Sequence, residues 1–213
     1  HPDARVIGII SKSPVNLAEG NQLSADDKFN RVDIKALNSK GEIILIEVQN
    51  TRELYFLERI LYGVAKAITE HIKLGQDYGE VKKVYSISIL YFDLGIGSDY
   101  LYHGQNQFVG VHTGDRLQIR AKEQDAIVSR FPSEIFPEYI LIRVNEFDKV
   151  AVTPLDEWMR YLKDGVIASD TTAPGLGEAR EQLRYYSLSD TERRAYDEHI
   201  NDIMIQNDVL NTA

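Results

Sequence analysis

The stretch from Glu42 to Gln49 constrains the fold more than any other. Side chains alternate along a strand, so Ile43, Leu45, Glu47 and Gln49 share one face, while Ile44, Ile46 and Val48 share the other. Apolar residues on both faces place such a strand in the interior of a sheet. The acid at Glu47 and the amide at Gln49 then sit in a largely apolar setting. A carboxylate there is costly unless it is paired or holds a metal. Upstream, Arg31 to Leu37 alternates as well, with Arg31, Asp33 and Lys35 opposite Val32, Ile34 and Ala36. Between the two runs, Asn38-Ser39-Lys40-Gly41 is a hairpin signal, glycine being available for a positive φ. A tight hairpin brings Asp33 near Glu47, so that two carboxylates converge without a nearby fixed counter-charge. All-oxygen sites of this kind suit hard divalent cations such as Mg²⁺, which keep several of their waters.

The rest of the chain reads around this hairpin. Ala4 to Ser11 is a short β-branched run that predicts a strand, and Pro14 to Asn30 a polar loop. Asn50 and Glu53 form a capping-box pattern for a helix running to about Leu74, where Gly75 stops it. Its apolar positions Leu54, Leu57, Leu61, Val64, Ala65 and Ile68 recur at helical spacing. Val84 to Phe92 is a nearly unbroken apolar strand, and the intervening helix makes it parallel to its predecessor. Gln107–His112 and Arg116–Ile119 read as a strand pair around Thr113-Gly114-Asp115, and Tyr139–Val144 as a further strand. Thr153-Pro154 opens a short helix carrying Leu155, Trp158, Met159 and Leu162, with Pro in its favoured first position. Ser169 to Gly177 reads as a linker. Two mostly polar helical segments follow, the second opened by Ser189 and Glu192.

Composition excludes several classes. No apolar run approaches the roughly 20 residues needed to cross a bilayer, and nothing at the start reads as a signal peptide. With no cysteine there is no disulfide, thiolate zinc site or cysteine nucleophile, and a cytoplasmic location is expected. The net charge of −9 argues mildly against a nucleic-acid partner, but it is uneven. From Lys28 to Lys73 eight Lys/Arg stand against six Asp/Glu, whereas from Gly175 onward four Arg stand against eight Asp/Glu.

The spacing Asp33-x(13)-Glu47-x-Gln49 resembles the PD-(D/E)XK nuclease signature, with glutamine in place of the usual lysine. Phe56, Arg59, Tyr62 and Lys66 on the following helix, and the strand Tyr85 to Leu90, resemble the family of transposases and recombination-promoting nucleases with this signature. The blocks Asp99–His103, Ser133–Tyr139 and Leu155–Leu162 are similar too, so that the likeness covers most of residues 1–165. It implies an α/β restriction-endonuclease-like fold, with a mixed central sheet flanked by helices and a C-terminal helical extension. The corresponding division is a nuclease-like domain over 1–165, a linker over 166–177 and a helical extension over 178–213. That fold normally opens with a helix that often supplies another acid, and this chain is expected to start after it.

The same resemblance implies a metal-dependent endonuclease acting on DNA in recombination or transposition. Asp33, Glu47 and the backbone carbonyl of Val48 would bind Mg²⁺, with Mn²⁺ as substitute, and Gln49 would orient the attacking water. Lys35, Arg59, Tyr62 and Lys66 would contact DNA or supply the positive charge that the absent lysine does not. Two alternatives stand beside it: a DNA-binding module of the same fold without cleavage, and a protein-interaction scaffold. Asp33 and Glu47 also have a plainer reading as solvated strand ends, and Lys35 as a surface lysine. The five histidines show no metal-ligand spacing. Leu183, Tyr186, Tyr196, Ile200, Ile203 and Ile205 form a narrow apolar stripe, from which a homodimer through the C-terminal helices is expected.

Overall fold

In the computed structural model the hairpin forms as its residues dictate. Strand β2 (Ile34–Leu37) and strand β3 (Ile43–Gln49) pair antiparallel, with Ile34 opposite Ile46 and Leu37 opposite Ile43. Asn38 organises the turn: its side-chain oxygen accepts from the backbone N–H of Lys40 and of Glu42, while Gly41 takes φ 71°. The structure describes residues 16–17, 33–72, 75–123, 126–148, 150–187 and 189. The strand expected over Ala4–Ser11 and the segment opened by Ser189 and Glu192 lie essentially outside them, as do four residues of the C-terminal stripe, Tyr196, Ile200, Ile203 and Ile205.

β3 is central, as its two apolar faces require. It runs parallel to β4 (Val84–Leu90), which runs parallel to β8 (Glu138–Arg143). β5 (Leu101–Gln105) closes the other side antiparallel to β8. At the near edge a two-residue strand, β1 (Asn16–Leu17), pairs with β2 where the sequence predicted only loop. The mixed sheet therefore has the order β1-β2-β3-β4-β8-β5. β6 (Ile119–Glu123) and β7 (Ala126–Arg130) form a separate antiparallel pair that periodicity did not reveal. The strand pair expected around Thr113-Gly114-Asp115 is reduced to one bridge between Val109 and Arg116.

Helix α1 (Phe56–His71) connects β3 to β4 and packs on the sheet face that carries Leu45. It begins later and ends earlier than the sequence indicates. Asn50 does not cap it, Tyr55 occupies the cap position without a side-chain bond, and the helix stops at His71. Glu53 cannot close a capping box because its carboxylate is taken up elsewhere, by Gln49 and Arg59. The core stripe is also rotated from the expected one. Phe56, Ile60, Gly63, Val64 and Ala67 are buried, whereas Leu54, Leu57 and Leu61 are 84%, 54% and 59% exposed.

At the start of β4 and β8 a polar group is built into the sheet. Glu138, 3% exposed, accepts from Lys83 Nζ and pairs with His103 Nε2 at 2.8 Å. Burial alone would raise the Glu138 carboxyl, but the hydrogen bonds and charges of Lys83 and His103 outweigh it and leave it below the usual range. At the opposite end of β8, buried Arg143 holds the loop after β4 through the carbonyls of Gly95 and Gly97 and the carboxylate of Asp93.

The chain divides into two compact units, His1–Val150 and Ala151–Ala213. Within the second, helix α2 (Pro154–Asp164) starts as its sequence indicates. Thr153 and Asp156 form a capping box, Pro154 takes the first position, and Gly165 ends the helix at φ 71°. The Ser169–Gly177 segment, read as a linker, folds back onto α2. Thr171 and Thr172 bond Glu157, and the Trp158 indole donates to the Pro174 carbonyl at 3.1 Å. Helix α3 (Leu176–Ser187) follows with Leu176 buried. The break between units thus falls after Val150, and α2 groups with the C-terminal segment and not with the preceding domain.

Candidate active site

Glu47 and Gln49 lie near the end of β3, on the face that α1 covers. Lys35 pairs with Leu45 in the β2–β3 register, and continuing that register by two residues brings Asp33 opposite Glu47 on the same face. Asp33 is exposed, just before β2, and its Oδ2 accepts from the backbone N–H of Val48 at 2.6 Å. In a strand the N–H and C=O of one residue point to the same side, so the Val48 carbonyl also faces the Asp33 side of β3.

Glu47 has a counter-charge after all, and its source is Arg59 in the first turn of α1. Arg59 Nη2 donates to Glu47 Oε1 and, at 2.9 Å, to Gln49 Oε1; Nη1 donates to Glu53 Oε1 at 2.7 Å. Gln49 completes the ring by donating from Nε2 to Glu53 Oε1 at 3.0 Å and to the Thr51 carbonyl at 3.1 Å. The guanidinium lies 5.7 Å from the centre of the Phe56 ring, within range of a cation–π contact. Burial pushes the Glu47 carboxyl above the usual carboxylate range. Arg59 draws it down, Asp33 and Glu53 push it up, and the balance stays upward. Asp33 is thus close enough for its charge to act on Glu47.

The other nominated residues are placed separately. Lys35 Nζ bonds Glu70 Oε2 at 2.9 Å, and Lys66 approaches the other oxygen of Glu70 at 3.9 Å. Tyr62 is 62% exposed. The spacing of Arg59, Tyr62 and Lys66 suggests one polar stripe, yet Arg59 reaches towards β3 while Lys66 reaches towards Glu70.

Two further residues belong to the site. Glu53 shares Arg59 and Gln49, and its only sequence signal, an acid three residues after Asn50, pointed to a cap instead. Ser88 pairs in register with Glu47, so it shares that face; it is 1% exposed, and its hydroxyl finds no partner among the described residues. The serines at 86 and 88 in an otherwise apolar strand were a legible sign of polar chemistry on one face.

Whether this set suits a divalent cation follows from its donors. No group of three or more His, Cys, Asp or Glu that could hold a metal is assembled among the described residues. Asp33 and Glu47 with the Val48 carbonyl are nonetheless a hard-oxygen set of the size that Mg²⁺ commonly uses, one or two carboxylates with water completing the sphere. The Arg59 guanidinium on Glu47 is a stand-in cation at the same carboxylate. The donors fit.

The family model described as PD-(D/E)XK nuclease family transposase matches residues 10–123, over half of the chain. The matched segment contains the hairpin, α1 and β4. The similar blocks read at Ser133–Tyr139 and Leu155–Leu162 lie beyond it. No match was found among curated proteins or among solved structures.

Proposed function

Because the chain belongs to the PD-(D/E)XK nuclease family transposases, we propose that it is a metal-dependent endonuclease that hydrolyses DNA phosphodiester bonds in recombination or transposition. The observation that most supports this reading is the convergence of Asp33 and Glu47 on one face of the β2–β3 hairpin, inside the matched segment. Asp33, Glu47 and the Val48 carbonyl would hold Mg²⁺, or Mn²⁺ in its place. When bound, the cation supplies Lewis-acid polarisation of the phosphate and lowers the pKa of water. Gln49 would turn its amide oxygen, which Arg59 holds here at 2.9 Å, to the attacking water, in the place where the family usually carries lysine. Arg59 supplies the positive charge that Gln49 lacks, and Lys35, Tyr62 and Lys66 contact the DNA backbone. Hydrolysis leaves a 5′-phosphate and a 3′-hydroxyl.

Nicking of supercoiled DNA tests the proposal. With Mg²⁺ or Mn²⁺ the chain should nick, and Asp33→Ala and Glu47→Ala should each slow the reaction by about a hundredfold or more. Ca²⁺ should support binding better than cleavage, because its looser coordination positions water poorly. Undiminished nicking in EDTA would refute the assignment. The grip of Arg59 on Glu47 favours a second reading, a DNA-binding module of the same fold without cleavage. Salt-dependent DNA binding with no metal-stimulated nicking is the result that selects it.

A further inference from the structure

We propose that Arg59 is a built-in counter-cation: it clasps Glu47 in the cation-free site, and metal loading makes it release that carboxylate and turn to the DNA phosphate. The inference rests on the metal-dependent reading above and adds an order of events to it.

Four observations carry it. First, Arg59 Nη2 bonds the same Glu47 carboxylate that the divalent ion would need, so the two cations compete for one ligand. Second, Arg59 stands in the first turn of α1, where the helix dipole disfavours a cation. Its placement there is not explained by helix stability; the acceptors from β3 and the following loop draw it in. Third, the grip is incomplete. The Arg59 Nε is buried without an acceptor among the described residues, as is the Nε of Arg143, so one donor of the guanidinium is left unused. Fourth, Glu53 offers a pivot. Its carboxylate, 41% exposed, holds Nη1 from a loop outside the sheet, so that the guanidinium can leave Glu47 without losing every partner.

The consequence is an exchange of charge. A divalent ion beside Glu47 repels the guanidinium, which keeps Glu53 and presents its freed Nη2 to the nearest anion. With DNA bound that anion is the phosphate, and Arg59 then does there what a lysine at position 49 would do. Without DNA the guanidinium opposes loading, so metal and DNA favour each other's binding.

Calorimetric titration of the full chain with Mn²⁺ at pH 8, without DNA, reads this directly. Arg59→Ala should bind Mn²⁺ about tenfold more tightly than the unmodified protein while nicking at least about a hundredfold more slowly. Arg59→Lys, which keeps the charge but cannot bridge Glu47, Gln49 and Glu53 together, should bind Mn²⁺ severalfold more tightly and is the safer variant for folding. Equal or weaker Mn²⁺ binding by both variants, with binding intact in the unmodified protein, overturns the clasp and leaves the metal-dependent reading standing. Absence of Mn²⁺ binding from all three proteins overturns both.

Discussion

Glu47 is held by Arg59, yet its carboxyl stays above the usual carboxylate range, because burial and the charges of Asp33 and Glu53 outweigh the guanidinium. The folded state therefore holds the proton more tightly than the unfolded chain does. Glu47 contributes most to stability below its ordinary value of 4.5, and that contribution is lost as pH rises through its folded value. Neutral Glu47→Gln should accordingly melt at a higher temperature than the unmodified protein at pH 8, with the gap closing below about pH 4.5. Thermal unfolding across that range checks it, and a lower melting temperature at pH 8 would contradict it. The convergence of Asp33 with Glu47 was legible because period-two alternation and a turn signal fix which side chains share a face. Arg59 as the partner of Glu47 was not, since no local pattern states how a helix is rotated about its axis.

That rotation decides the element. α1 carries two adjacent apolar stripes, one through Phe56, Ile60 and Val64, the other through Leu57, Leu61 and Ile68. Helical periodicity supports either, and the expected set of Leu54, Leu57, Leu61, Val64, Ala65 and Ile68 takes residues from both. In the structure the first stripe packs on the sheet. The second, with Phe136, Pro137 and Tyr139, lines an apolar groove of about 460 Å³. Ile60→Ala should cost about 2–4 kcal/mol in chemical denaturation, and Leu61→Ala less than about 0.5 kcal/mol. The reverse ranking would mean that α1 is turned the other way and that Arg59 does not face β3. β3 and β4 were readable because burial on both faces leaves an apolar run, and α2 because its caps are spelled out by Thr153, Pro154, Asp156 and Gly165. β5 was not: Leu101–Gln105 mixes polar and apolar residues without alternation, and its pairing depends on β8, far along the chain.

Across the first unit, the groups that fasten the sheet are distinct from those proposed for chemistry. Lys83, Glu138 and His103 join the starts of β4 and β8 to the middle of β5, with side chains of Lys83 and Glu138 only 8% and 4% exposed. Because Glu138 is held below the usual carboxylate range, its contribution is present above its ordinary value of 4.5 and is lost as pH falls through the lower folded value. Acid should therefore unfold the unmodified protein with a pH dependence that Glu138→Ala lacks. At pH 7 that variant should be destabilised by about 3–5 kcal/mol, because it leaves the buried Lys83 charge without its counter-charge. A melting curve of Glu138→Ala as pH-sensitive as that of the unmodified protein would show that the trio is not the acid-labile fastening. The residues proposed for metal binding and catalysis, Asp33, Glu47, Gln49 and Arg59, instead come from one stretch, written by a hairpin and the first turn of a helix. Heredity can act on such a layout in two independent ways. A few substitutions in that stretch would silence the proposed cleavage while the fastening of the sheet persists, so descendants of one ancestor could diverge into cutters and silent binders without ever passing through an unfolded intermediate.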